Sequence, residues 1–195
     1  MALTASELPW RVHAVLPRSV ANGPGERFTI WSQGCALACP GCFNPETHTA
    51  ATGTDRTVGE LVDEVLAEVP GIEGVTLTGG EPLEQPEAVA AFCARLRARA
   101  DLGVIVLTGF TRAEIESDPA RTAAVAAADL VVAGRYNQGR KAGTGLRGSA
   151  NKTYWDRTGR YRQDDLGSVP ELEVMIGVDG VVTVTGMAAP GRDVW

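Results

Sequence analysis

The sequence lacks long apolar runs, an excess of basic residues, and large numbers of cysteines or histidines. No segment approaches the roughly 20 consecutive apolar residues of a membrane-spanning helix, and no apolar core follows a basic start at the N-terminus. The net charge is −6, which argues against the basic surface of a nucleic-acid-binding domain. We therefore expect a cytoplasmic protein that has neither a membrane nor nucleic acid as a partner.

The length of the chain limits its organisation. Its 195 residues are 44% hydrophobic, which is enough for one well-buried core and little for two. The sequence contains neither an internal repeat nor a low-complexity tract. We therefore expect a single domain over residues 1–195.

Four short segments that are apolar throughout alternate with segments in which apolar residues recur at helical spacing. Thr57 with Glu60, and Thr111 with Glu114, have the spacing of capping boxes at helix starts. This alternation predicts an α/β fold with a mostly parallel sheet, in which ligands bind where the strands end. The strand signals are RFTIWSQ at 27–33, GVTLTGG at 74–80, GVIVLTGF at 103–110 and DLVVAG at 129–134.

The last third of the chain is less regular. The stretch 135–162 holds eight of the 18 basic residues, with Tyr136, Tyr154 and Trp155 beside them, and is either a solvated loop or a docking surface for a protein partner. The segment ELEVMIGVDGVVTVTG at 171–186 alternates apolar and polar residues around Asp179 and Gly180. This pattern predicts a C-terminal β-hairpin.

Three of the four cysteines, Cys35, Cys39 and Cys42, lie within eight positions directly after the first strand signal. Clustered thiols in a reducing compartment more often bind metal or do redox chemistry than form disulfides. Iron–sulfur clusters are usually held by four thiolates, so three thiolates on one short loop leave one iron free for another ligand. The spacing therefore favours a [4Fe-4S] cluster with an open position.

Other ligands and another metal compete with this interpretation. Cys93 shares a helical stripe with Phe92 and Leu96, which is typical of a small core residue rather than of a fourth ligand. His48 would complete a Cys3His zinc set, but structural zinc sites usually come as two paired knuckles. For His13 and His48 we favour a structural or surface role.

The spacing CxxxCxxC after a first strand resembles the signature of the radical SAM superfamily. In that superfamily S-adenosylmethionine occupies the free iron and is split by one electron into methionine and a 5′-deoxyadenosyl radical. TGGEP at 78–82 resembles the second motif, which binds the methionine amino group. The resemblance implies a partial (βα) barrel of the radical SAM type. It also implies that catalysis runs through the cluster cysteines and that the cofactor contacts Gly41, Cys42, Phe43, Gly79, Gly80, Glu81 and Thr108.

Five blocks resemble, more narrowly, the activating protein of the anaerobic (class III) ribonucleotide reductase. They lie at 22–44, 77–83, 107–110, 131–136 and 146–152. This resemblance implies a core at 22–152 with a C-terminal extension at 153–195. It also implies an enzyme that installs a glycyl radical on a partner subunit, with flavodoxin or ferredoxin as the reductant.

Two of these blocks depart from the family. Ala133 stands where Asp is usual, and the last block has Ala150 and Lys152 where the family commonly has Ser and Gln. The departure at position 133 motivates a second hypothesis, a radical SAM enzyme that modifies a peptide or a small metabolite. A third hypothesis, of another class, is a non-catalytic iron–sulfur or zinc-binding interaction protein.

Overall fold

A computed structural model describes residues 4–142 and 144–187, so the two ends of the predicted domain lie outside the described residues. The strands are β1 (Pro9–Ser19), β2 (Arg27–Ser32), β3 (Thr54–Thr57), β4 (Gly74–Gly79), β5 (Gly103–Leu107), β6 (Leu130–Ala133), β7 (Lys141–Ala142), β8 (Gly148–Ser149), β9 (Thr153–Asp156), β10 (Glu173–Ile176) and β11 (Val182–Thr185). The α-helices are α1 (Val58–Ala67), α2 (Pro86–Arg97), α3 (Arg112–Glu116), α4 (Pro119–Ala124) and α5 (Gln163–Gly167).

Seven strands form one sheet in the order β3-β1-β2-β4-β5-β6-β9. The four predicted strands, β2, β4, β5 and β6, are its parallel centre. Strands β1, β3 and β9 pair antiparallel at the two sides, and the sequence did not predict them as strands. The α/β class with a large sheet built on parallel strands is therefore confirmed, although half of its strand pairings are antiparallel.

Both faces of the central strands are buried, which explains why these strands are apolar throughout. In β5, Val104 and Val106 belong to the main core, which packs against α1, α2 and α4. Ile105 and Leu107, which alternate with them, belong to a second cluster that contains Tyr161. Since neighbouring residues of a strand point to opposite faces, the segment after β6 covers the face that the helices leave open.

Both predicted capping boxes are present. In the first, the Thr57 hydroxyl accepts from the Glu60 amide at 3.2 Å, and the Glu60 carboxylate accepts from the Thr57 amide at 2.8 Å. The second box opens α3, which ends after one turn because α4 starts at Pro119 behind the cap of Asp118. The helix predicted after Thr111 is therefore two short helices.

The segment 171–186 forms the antiparallel pair β10–β11, which includes the partners Val174↔Val184 and Ile176↔Val182. Glu173 anchors this pair to the turn after β1, because its carboxylate accepts from the Ser19 hydroxyl at 2.6 Å. No helix in the described part of the chain is long and apolar enough to cross a bilayer.

Candidate active site

A cavity lies where β2, β4 and β5 end, and the three clustered cysteines line it together. The predicted cofactor contacts that also line this cavity are Phe43, Gly79, Gly80, Glu81 and Thr108. Gly41 does not line it. Its φ of +69° lies in the left-handed region that favours glycine, and a Cβ there would lie 2.6 Å from the Gln138 side chain. Glycine at this position therefore serves the conformation of the loop. The fold thus brings the two sequence motifs, 45 residues apart at Cys35 and Gly80, to one place.

Backbone hydrogen bonds fix the cysteine loop from both ends. The Cys35 amide donates to the His48 carbonyl at 3.0 Å, and the Cys42 amide donates to the Cys39 carbonyl at 3.2 Å. In addition, the Glu84 carboxylate accepts from the Ala36 amide at 2.9 Å. Hydrogen bonds within the chain therefore hold the three thiols of the loop in a defined arrangement.

The three thiols of the loop are half-buried. Burial raises the pKa of Cys35 and of Cys42, so in the metal-free chain these thiols are held neutral at physiological pH. A metal ligand must be the thiolate. Binding of iron at this loop would consequently release protons, which is the usual behaviour of thiolate sites.

The fourth cysteine lies elsewhere. Cys93 is 1% exposed, packs in the main core and does not line the cavity. Burial raises its pKa to about 12. The prediction that Cys93 is a core residue is therefore confirmed.

His48 also lines the cavity, whereas the sequence analysis favoured a structural or surface role and weighed it only as an alternative zinc ligand. Its Nε2 atom is buried and has no hydrogen-bond partner in the described part of the chain. An orphaned donor or acceptor of this kind is costly unless something else in the cavity pairs with it. The residue is thus part of the wall that a bound group would contact.

The donor set fits a cluster better than a single ion. Three thiols of one loop surround the cavity, yet the described residues contain no group of three or more His, Cys, Asp or Glu side chains that could hold one metal ion. A zinc ion needs its ligands at one point, whereas a cuboidal iron–sulfur cluster takes one thiolate at each of several irons. The residues present therefore fit a [4Fe-4S] cluster held by Cys35, Cys39 and Cys42.

Glu81 is a fixed part of the cavity wall. Its carboxylate is 1% exposed and accepts from the Thr108 hydroxyl at 2.7 Å, the Gly109 amide at 2.7 Å and the Leu83 amide at 2.9 Å. Burial raises the pKa of Glu81, while these three donors oppose the rise. A carboxylate has roughly four acceptor positions, so about one remains for a ligand ammonium.

The two glycines before Glu81 permit a close contact between strands. Gly79 has a φ of +102°, and a Cβ there would lie 2.5 Å from the Ser32 amide nitrogen. A Cβ on Gly80 would lie 2.4 Å from the Gly34 carbonyl oxygen, immediately before the first cysteine. These glycines therefore let the second motif approach the cysteine loop. The sequence predicted a contact between the glycines and a ligand, but not this contact between two segments of the chain.

Lys152 is a site residue that sequence reasoning did not assign. It lines the cavity, and its Nζ atom lies 3.5 Å from the Thr108 carbonyl oxygen. The signal that could have identified it is its departure from the family residue Gln in the last sequence block.

A second cavity of about 410 Å³ adjoins the first. Phe43, Asn44, Thr78 and Met187 line both cavities. Its other walls come from β1, from Trp31 in β2 and from β11 of the hairpin. The hairpin therefore borders the space next to the cysteines.

The basic stretch 135–162 is not one exposed patch. Arg135 pairs with Glu114 at 2.8 Å, and Arg160 pairs with Asp101 at 2.7 Å. The guanidinium of Arg157 lies 4.6 Å from the centroid of the Trp155 ring. Several of these basic side chains are therefore engaged within the fold.

Comparison with known proteins identifies the family of the chain. The model of the 4Fe-4S single cluster domain family matches residues 21–155. The anaerobic ribonucleoside-triphosphate reductase-activating protein of Vibrio cholerae is 33% identical over 149 residues, which is 72% of this chain and 94% of that protein.

Two further likenesses cover less. The pyruvate formate-lyase-activating enzyme of Listeria monocytogenes is 39% identical over 92 residues, 45% of this chain, and the matched part is only 37% of that enzyme. Among solved structures, QueE from Escherichia coli has a TM-score of 0.45 and 14% identity over 53% of each chain, a level that carries no information on function. On the family match and the Vibrio relative, the chain belongs to the 4Fe-4S single cluster domain family of radical SAM proteins.

Proposed function

We propose that this protein is a radical SAM enzyme that installs a glycyl radical on a partner enzyme. The partner that we propose is an enzyme of the anaerobic ribonucleoside-triphosphate reductase kind. One observation carries the proposal. Three thiols of one loop and the turn Gly79–Glu81 line the same cavity, while the remaining cysteine is buried in the core. This arrangement supplies three cluster ligands and leaves a fourth position open.

The chain's own residues would hold the cofactors in the following way. Cys35, Cys39 and Cys42 would bind the cluster, and Glu81 with the neighbouring glycines would receive the methionine end of S-adenosylmethionine. When bound, the reduced cluster and this cofactor supply one-electron cleavage of the sulfonium to methionine and a 5′-deoxyadenosyl radical. Thr108 and Glu81 are each nearly fully buried in the wall of the cavity, which holds the Glu81 carboxylate in one position.

We place the partner's reacting segment in the second cavity. This space adjoins the cysteine cavity and lies between β1 and the hairpin. A glycine to be activated must approach within van der Waals distance of the radical carbon. A chain of this length is too short to enclose a large substrate by itself, so we expect a segment of the partner to enter the cavity. The names of the Vibrio and Listeria relatives, each of which is said to activate another enzyme, support a protein partner.

The same proposal covers the remaining expectations. The sheet would form a partial (βα) barrel of the radical SAM type, and residues 1–195 would work as one cytoplasmic domain with 153–195 as an extension of the core. Flavodoxin or ferredoxin would deliver the electron. A site at the ends of the parallel strands is compatible with such a barrel.

The test is anaerobic reconstitution with iron and sulfide, followed by S-adenosylmethionine and a strong reductant. We expect three thiolate-held irons in one [4Fe-4S] cluster, release of 5′-deoxyadenosine, and a glycyl radical signal when the candidate partner is added. If S-adenosylmethionine is cleaved but no glycyl radical enzyme acquires a radical, the assignment as a radical SAM enzyme is retained and the proposed partner is rejected. Absence of 5′-deoxyadenosine from cluster-loaded protein would reject the enzyme and favour the non-catalytic alternative.

A second candidate, an enzyme that acts on a peptide or a small metabolite, is favoured by position 133. Ala133 is 2% exposed in the main core at the end of β6, where the resembled family usually has Asp. Position 133 therefore supplies no carboxylate in this chain. Incubation of the loaded enzyme with cell peptides and metabolites, with deuterium transfer into 5′-deoxyadenosine as the readout, distinguishes the two candidates.

A further inference from the structure

Lys152 brings an ammonium group into the cysteine cavity. Its backbone is held just before β9, where its amide donates to the Ser149 carbonyl at 3.2 Å. Its side chain lines the cavity together with the three cysteines and Glu81. The long contact to the Thr108 carbonyl, 3.5 Å, is the single hydrogen bond of Nζ in the described part of the chain.

This charge has no carboxylate partner at contact distance. Among the described residues no Asp or Glu oxygen lies within 4 Å of Nζ, so Lys152 forms no ion pair. The charges that act on it most are those of Glu81 and the three cysteines, while burial lowers its pKa. A partly buried ammonium is costly unless an anion compensates it, and an anionic group bound by the cysteines would lie in the same cavity.

The chain's use of lysine makes the position unusual. Of the 18 basic residues only two are lysines, Lys141 and Lys152. Lys141 is exposed, with Nζ 5.4 Å from the centroid of the Phe43 ring. Lysine concentrates its charge on one compact group with three donors, which suits a rounded anionic surface better than a planar guanidinium does.

We propose that Lys152 is the counter-ion of the iron–sulfur cluster and raises its reduction potential. Three thiolates give the cluster a net negative charge that grows by one on reduction. A fixed positive charge in the same low-dielectric cavity stabilises the reduced form more than the oxidised form. The inference rests on the three-cysteine cluster of the proposed function, but it makes no assumption about the partner or the substrate.

The experiment is an anaerobic redox titration of the loaded protein, followed by EPR of the reduced cluster, in Lys152→Gln. This variant carries the residue that the resembled family commonly has at this position. At a fixed solution potential we expect the ratio of reduced to oxidised cluster to fall about tenfold, which is ~59 mV for one electron. Lys141→Gln is the matched control, because it removes the same charge from an exposed site where water and salt screen it, and it should leave the potential unchanged.

Iron and sulfide content separate the possible failures. If the wild-type chain does not load a cluster, the three-cysteine assignment fails and the inference about Lys152 fails with it. A loaded Lys152→Gln with the wild-type potential overturns the inference, as does an equal shift in Lys141→Gln. Lys152→Met serves as a second uncharged variant. If both uncharged variants fold but do not bind a cluster, the inference that Lys152 acts on the reduction potential is also overturned. Weaker binding of S-adenosylmethionine with an unchanged potential would assign Lys152 to the cofactor instead.

Discussion

Tyr161→Phe tests whether the segment after β9 belongs to the same folding unit as the sheet. Tyr161 is 7% exposed, and its hydroxyl accepts a 2.7 Å hydrogen bond from Nη1 of Arg27. Arg27 is fully buried and forms no ion pair with the described residues, so hydrogen bonds alone compensate its charge. Its other acceptors are Thr76 Oγ1 at 2.9 Å and the carbonyls of Val75, Gly103 and Pro24 at 2.7, 2.8 and 3.3 Å.

The magnitude follows from what phenylalanine leaves behind. The ring is retained, so the apolar burial barely changes, but Nη1 keeps only the long bond to Pro24. Losing a hydrogen bond to a buried charged group costs about 1.5–3 kcal/mol. For a chain of this length the midpoint of thermal unfolding should fall by roughly 3–12 °C.

Urea and thermal unfolding of the metal-free protein, followed by circular dichroism, measure this loss. Tyr136→Phe is the control, because it also removes one phenolic hydroxyl, from a ring that packs on Phe43 with the centroids 4.6 Å apart. We expect that variant to stay within about 0.5 kcal/mol of the wild type. Equal stability of Tyr161→Phe and the wild type would refute the reasoning and would mean that the C-terminal segment does not pack on the sheet.

Three further predictions concern the site and its surroundings. Glu81→Gln should lower the free energy of unfolding by about 2 kcal/mol, because the new amide nitrogen would face a donating backbone amide; unchanged stability in urea would contradict this. Cys93→Ala should keep the full iron content at a cost of about 1–2 kcal/mol, whereas Cys42→Ala should lose the cluster; loss of iron from both would show that Cys93 is a ligand. Glu114 has a pKa of about 2, lowered mainly by Arg135, so its stabilising effect is fully present above about pH 4.5 and is lost as the pH falls through 2. After allowance for solvent screening, Glu114→Gln should therefore cost about 1 kcal/mol at pH 7 and progressively less as the pH falls toward and below 2, and a cost independent of pH would be inconsistent with this cause.

The sequence predicted the elements whose signals are local. The four apolar strands and the two capping boxes are seen because a buried parallel strand needs no polar alternation and a capping box is a four-residue contact. Strands β1 and β9 escaped prediction because they lie at the sides of the sheet. Their residues are partly exposed, so no continuous apolar run marks them as strands.

The site divides in the same way. The cysteines and the turn before Glu81 carry their chemistry in their spacing, so their meeting at one cavity follows from parallel strands that end at one edge. Lys152 could not be found from spacing, because it reaches the cavity through tertiary packing of an irregular segment, and His48 was raised from the sequence only as an alternative zinc ligand. The hairpin illustrates the difference: its turn was predictable from Asp179 and Gly180, but its place beside the cavity was not.

The support of the cysteine loop has a practical meaning for preparation of the protein. The loop is tied by backbone bonds and by Glu84, and the main core contains none of its cysteines. Loss of the cluster through reaction with oxygen should therefore remove the colour of the protein without unfolding it. A colourless sample purified in air would still be a sound scaffold, and recharging it under argon should restore the brown colour of the cluster without a refolding step.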